Sequence, residues 1–163
     1  MASTYTGAVP SSSTLDPRIV PFFEKFYEVS DTPSAHDAYV DSFLPNADFV
    51  MGSKSTSGRD GILELRKGLW SGPIQRRKHT LEKIFPFGAG EDAKEVMLYG
   101  NVDYGLKNGK ELNVHWAARA VLAEHEGGLR FKLYQVYLVS DPTLEDFEVS
   151  WERKEDNLEE TAS

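Results

Sequence analysis

The chain has 163 residues, of which 40% are hydrophobic and 27% charged, and it contains no cysteine. That length suits one soluble domain, and the missing thiols exclude a disulfide framework, a thiol nucleophile, thiolate-bound zinc and an iron–sulfur cluster. The formal net charge is −8, but residues 141–163 hold nine acids and two bases, so the preceding 140 are nearly neutral and offer no basic face to nucleic-acid phosphates.

Residues 1–16, rich in Ser, Thr, Ala and Gly, read as a flexible N-terminal arm. Asp16 and Pro17 then stand at the cap and first position of a helix whose Ile19, Val20, Phe22, Phe23, Phe26 and Tyr27 form one apolar face. Asp31-Thr32-Pro33-Ser34 breaks it. A second helix follows with His36, Tyr39, Val40 and Phe43 at helical spacing, ended by Leu44-Pro45-Asn46. Ala47–Met51 alternates as a short strand, with Ala47, Phe49 and Met51 on one face, and Lys54–Ser57 reads as loop. Asp60–Trp70 is a third helix with Ile62, Leu65, Leu69 and Trp70 inward, stopped by Ser71-Gly72-Pro73.

The remainder reads as sheet: Lys78–Phe87, Glu95–Lys107, Glu111–Glu124 and Leu129–Ser140. Asn108-Gly109 matches a type I′ hairpin pair, and Glu126-Gly127-Gly128 makes the next turn. Strands this long must twist and curl. The expected architecture is α+β: a curled antiparallel sheet, a half-barrel or cone, with three helices from the N-terminal half on its concave face. The domain spans 17–140, and 141–163 is an acidic tail that includes an amphipathic stretch around Leu144–Trp151. Without a secretory signal, a sequon or an apolar run near the roughly 20 residues of a membrane span, a cytoplasmic protein is expected, with no membrane or nucleic-acid partner.

Strand parity sorts the side chains. Val96, Leu98, Gly100, Val102 and Tyr104 share a face, as do Val114, Trp116, Ala118, Ala120 and Leu122, and then Tyr134, Val136 and Leu138. These more apolar faces belong inside the cone. Gly100, Ala118 and Ala120 are expected to leave room there, lined by Tyr27, Met51, Trp70, Tyr104, Trp116 and Tyr134 as a pocket for a small-molecule substrate. Arg119 on the opposite face is expected to pair with Asp103. The basic cluster Arg76-Arg77-Lys78-His79 reads as a solvated strand entrance in preference to an anion site. The four histidines lack metal-ligand spacing and no nucleotide fingerprint or nucleophile elbow is present, so neither a metal nor a cofactor is expected.

The stretches PFFEKFYEVSD, ADFVMGSKSTSGRDGILELRKGLW, RRKHTLEKIFPFG, EVMLYGNVDYGLKNGK, NVHWAARAVL and FKLYQVYLV resemble the NTF2-like superfamily, specifically its SnoaL-like branch with ketosteroid isomerases, scytalone dehydratase and polyketide cyclases, and within it a group of uncharacterised fungal proteins. The resemblance covers about Pro17–Ser140. It implies the cone fold, a homodimer through the convex sheet face, and cofactor-free proton transfer. It also implies catalytic roles for His79, at a strand opening where scytalone dehydratase has a histidine, and for Asp31, like the acidic residue that assists there. The second pocket histidine of scytalone dehydratase has no counterpart: Tyr104 and Leu106 occupy the nearby positions. Two functions stay open. One is an isomerase, dehydratase or cyclase acting on an apolar, oxygenated polyketide- or terpenoid-like molecule, with Tyr27, Tyr104 or Tyr134 donating to an enolate and the tryptophans holding the ring system. The other is a non-catalytic ligand-binding or dimeric interaction module.

Overall fold

A computed structural model describes residues 3–12 and 14–138. The amphipathic stretch expected at Leu144–Trp151 lies outside the described residues. Three helices, α1 (Ile19–Ser30), α2 (His36–Val40) and α3 (Gly58–Ser71), cover a sheet of six strands: β1 (Phe43–Met51), β2 (Lys54–Ser57), β3 (Ile74–Phe87), β4 (Glu95–Leu106), β5 (Glu111–His125) and β6 (Gly128–Leu138). The spatial order is β2-β1-β6-β5-β4-β3. The sheet curls without closing, and α1 lays Ile19, Phe23, Phe26 and Tyr27 into its concavity, where Phe26 meets Phe131 edge-on at 4.7 Å between ring centres.

The expected face assignment agrees with burial: Val96, Leu98, Val102, Val114, Trp116, Ala118 and Ala120 are all buried. Several local expectations are corrected. The sheet is mixed, because β1 runs parallel to β6 and only the other pairs are antiparallel. Phe43 belongs to β1 and not to the second helix, since Asp41 and Ser42 already turn the chain against Asp37 and Tyr39. Lys54–Ser57 is a strand, paired with Asp48–Met51. β3 begins at Ile74, four residues before the expected start.

The two hairpins exchange roles. At Asn108-Gly109 only Gly109 has positive φ (85°), and Leu106 N–H bonds to Lys110 O at 2.9 Å, which is a three-residue loop with glycine in the left-handed position. The primed two-residue turn sits instead at Glu126-Gly127, with φ of 50° and 79° between the paired His125 and Gly128. Arg119 pairs with Glu95 (2.6 Å), not with Asp103. Register sets Asp103 opposite Asn113, whose Nδ2 donates to it at 2.6 Å.

The N-terminal arm is not loose over residues 4–8. Leu81 N–H bonds to Thr4 O, Ala8 N–H to Glu82 O and Ile84 N–H to Ala8 O, each at 2.9 Å, so the arm covers part of the free edge of β3. Gly7 is the contact residue, because a Cβ there would lie 2.8 Å from Leu81 and 2.9 Å from Ile84. Tyr5 receives the Lys78 ammonium over its ring at 3.9 Å and on its hydroxyl at 2.7 Å. Gly7→Val is expected to lift the arm and lower stability by ~1–3 kcal/mol, read as a lower urea midpoint together with new protease cleavage within residues 3–12.

Candidate active site

The site forms where the end of α1 meets the start of β3. Asp31 follows the last residue of α1, and its N–H bonds back to Tyr27 O at 3.0 Å. On β3, residues 77 and 79 share the inward parity, which brings Arg77 and His79 to the same carboxylate. Asp31 Oδ2 accepts the His79 backbone N–H at 2.7 Å, and Oδ1 lies 2.5 Å from ring Nδ1 and 3.4 Å from Arg77 Nε. Burial raises the Asp31 carboxyl, but the ring and backbone bonds from His79 and the charge of Arg77 outweigh it and hold the pKa below the ordinary value. Burial also lowers the His79 pKa, and Arg77 and Arg66 add to that shift against the opposing bond to Asp31. The pair is therefore an ionised carboxylate and a neutral imidazole. A carboxylate can only accept, so Nδ1 carries the proton. Nε2 makes no hydrogen bond among the described residues.

Two further cations build this corner. Arg66 of α3 is fully buried and donates to the carbonyls of Ser30 (2.6 Å), Val29 (3.2 Å) and Thr32 (2.7 Å), capping the α1 C-terminus where carbonyls lack helical partners. Arg77 Nη2 also donates to Ser30 O and, at 3.0 Å, to Ser30 Oγ. The Trp70 ring lies under both guanidiniums, 4.7 Å from Arg77 and 5.3 Å from Arg66. Burial and the neighbouring Arg77 pull the Arg66 pKa to about 10, which leaves it a cation at neutral pH. The reading of the RRKH cluster as a solvated strand entrance is overturned for Arg77, which is 7% exposed, because the bulge between Ile74 and Arg76 turns it inward.

A cavity of about 30 Å³ adjoins the dyad, and Ser30, Arg77, His79, Tyr104, Trp116 and Tyr134 are among its lining residues. Of the residues expected to bind substrate, Met51, Tyr104, Trp116 and Tyr134 line it. Tyr27 stands behind: its ring centre is 5.0 Å from His79 and 5.3 Å from Trp116, and its hydroxyl meets that of Tyr134 at 3.0 Å. Trp70 serves the arginines. Burial raises the pKa of Tyr27, Tyr104 and Tyr134, so all three are neutral phenols. The chamber expected from the small wall residues is largely filled. A Cβ on Gly100 would collide with Thr80 O across the strand pair and lie 2.9 Å from Trp116 Cζ2, so the glycine makes room for the indole.

Sequence reasoning missed Arg66, Arg77 and Ser30. Arg66 falls between Ile62 and Leu69 on the apolar stripe of α3, and Arg77 has the parity of His79. Both signals were present, but a charged side chain on a core face carries no indication of its partners until the helix end it caps is in place.

No protein-family profile and no curated protein matches the chain. Solved structures do. A provisionally named aromatic ring hydroxylase from Novosphingobium aromaticivorans superposes with a TM-score of 0.67 at 21% identity over 76% of this chain and 88% of its own. A provisionally named scytalone dehydratase from the same organism gives 0.66 at 12% identity, over 76% and 83%. Nuclear transport factor 2 from Cryptosporidium parvum gives 0.61 at 16% identity, over 78% and 100%. The chain has the NTF2-like cone fold.

Linkage gives the pH dependence of stability. Below the ordinary histidine value of about 6.5 the unfolded chain binds a proton that folded His79 resists, so stability falls as pH drops from 7 to 5. His79→Gln is expected to flatten that fall in urea midpoints measured across the window. A residual slope remains from His36, whose pKa burial also lowers.

Proposed function

We propose that the protein is a cofactor-independent isomerase, dehydratase or cyclase of the SnoaL-like type, moving a proton on a small oxygenated molecule. The observation that carries the reading is the His79–Asp31 dyad, whose imidazole lines the cavity, with Nε2 unpaired among the described residues. Nε2 takes a proton from substrate carbon, and Asp31 stabilises the imidazolium formed. Returning that proton to another carbon completes an isomerisation, and delivering it to a departing hydroxyl completes a dehydration. Tyr104 and Tyr134 are phenol donors at the same wall. A ring system of polyketide or terpenoid size exceeds the ~30 Å³ present and enters only if the Trp116 indole leaves Gly100. With a substrate found by screening such compounds, His79→Ala should cut turnover by about 10²–10⁴-fold at unchanged circular dichroism. Undiminished turnover removes the proposed base.

The tightness of the cavity favours a second reading, a non-catalytic ligand-binding or interaction module, under which deleting residues 141–163 abolishes capture of a protein partner. Either reading takes the chain as a cytoplasmic homodimer. The support is the exposed, apolar convex face, where Met97, Tyr99 and Tyr137 are between 37% and 46% exposed and Tyr99 stacks on His115. Tyr99→Glu with Tyr137→Glu should sediment as a monomer, and a wild-type monomer rejects the dimer. Among the described residues, no helix is long and apolar enough to cross a membrane.

A further inference from the structure

Arg77, His79 and Trp116 line one cavity, and each carries a polar atom without a hydrogen bond among the described residues. Trp116 Nε1 is buried with no hydrogen bond. Arg77 Nη1 makes none among the described residues, its Nη2 alone serving Ser30. The third, His79 Nε2, is an acceptor on the ring edge opposite Asp31. Arg77 Nε, like Trp116 Nε1, is buried without a hydrogen bond, and a buried N–H without an acceptor costs about 1–3 kcal/mol, so these two side chains call for an acceptor.

Charge says what. The corner holds two buried cations, Arg66 and Arg77, against one carboxylate, Asp31, with His79 neutral. The α1 C-terminus contributes roughly half a negative charge, which leaves the balance positive. Capping does not account for both guanidiniums, because Ser30 O already accepts from Arg66 and Arg77 supplies a second donor to the same oxygen. Arg77, which lines the cavity, thus keeps Nη1 unpaired among the described residues. A planar carboxylate supplies both a negative charge and two acceptor oxygens, and such charge-assisted bonds are about twice as strong as neutral ones.

We propose that Arg77 Nη1 and Trp116 Nε1 form a carboxylate subsite in the cavity, and that the natural ligand is a small oxygenated carboxylic acid. This deepens the proton-transfer reading by fixing the substrate's charged end beside His79, but the subsite does not depend on His79 being a base. With about 30 Å³, the cavity holds one or two waters or a three-atom anion, so formate is the probe and formamide its neutral counterpart.

The test follows the Trp116 indole N–H resonance, assigned with Trp116→Phe, while the full chain is titrated with each probe at pH 7. Formate should shift it saturably, with an apparent Kd at least about tenfold tighter than formamide. Arg77→Met should weaken formate at least about tenfold, and His79→Ala should leave it within about threefold. Equal affinities for the two probes, or no shift with either, overturn the subsite in the wild-type protein alone, so the conclusion stands even if Arg77→Met fails to fold. Loss of turnover in His79→Ala alongside absent formate binding would reject the subsite while sparing the base. Formate binding with unimpaired turnover would do the reverse.

Discussion

The carbonyl end of α1 is the point on which the site depends. A helix that stops inside a cone leaves carbonyls facing a space without water, and each must find a donor. Arg66, reaching from α3, supplies three of these bonds, and Arg77 on β3 adds another. Helix layer and sheet are thereby joined by directional contacts where apolar packing alone would let them slide. Asp31 is the next residue along, so the geometry that satisfies the helix end also sets the carboxylate against the His79 ring and backbone.

The inner wall answers to a second constraint, the fit of Trp116 over Gly100. The glycine has no room for a side chain, because the neighbouring strand's Thr80 carbonyl and the indole both occupy that position. The indole in turn packs edge-on to His79 at 5.8 Å and near Tyr27. The imidazole is therefore held by rings on two sides and a carboxylate on a third, which fixes its rotamer without adding another charge. The small void left over is a consequence of this filling. Arg77, Trp116 and His79 all line it.

Much of this was legible in the order of residues. Period-two alternation in β4, β5 and β6 separates core from convex face correctly for residues such as Leu98, Trp116 and Arg119, because a one-residue error would turn an entire strand inside out. The His79 and Asp31 pair was legible through resemblance, not spacing, since 48 residues separate them. The rest depended on tertiary context. The β1–β6 parallel pairing joins residues some 85 apart, and Lys54–Ser57 becomes a strand only because β1 offers it an edge. Arg66 carried no sign of its acceptors, which lie at and just beyond the end of another helix. Gly100 suggested space, yet a glycine opposite a tryptophan across a strand pair equally signals a ring that needs the gap.

Burial first, and then the pairing of two arginines with one aspartate, set the protonation state on which any chemistry here turns. A leucine at 66 would suit the α3 stripe but remove one donor from each of the carbonyls of Val29, Ser30 and Thr32, leaving them to Thr32 N–H, Arg77 Nη2 and Ala35 N–H respectively. Arg66 alone would serve those carbonyls, but Asp31 would then be balanced only by the imidazole, and a buried carboxylate facing one titratable neighbour draws a proton onto it. Arg77 supplies the competing positive charge. It satisfies part of the demand of Asp31 and adds to burial in disfavouring a second cation at His79, so the ring stays neutral while remaining hydrogen-bonded and aligned. Under the proposed proton-transfer reading, the same carboxylate would stabilise the imidazolium once a proton arrives from substrate. On that reading the corner favours a base before proton transfer and accommodates an acid after it, which is the sequence of states that proton transfer through a single histidine requires.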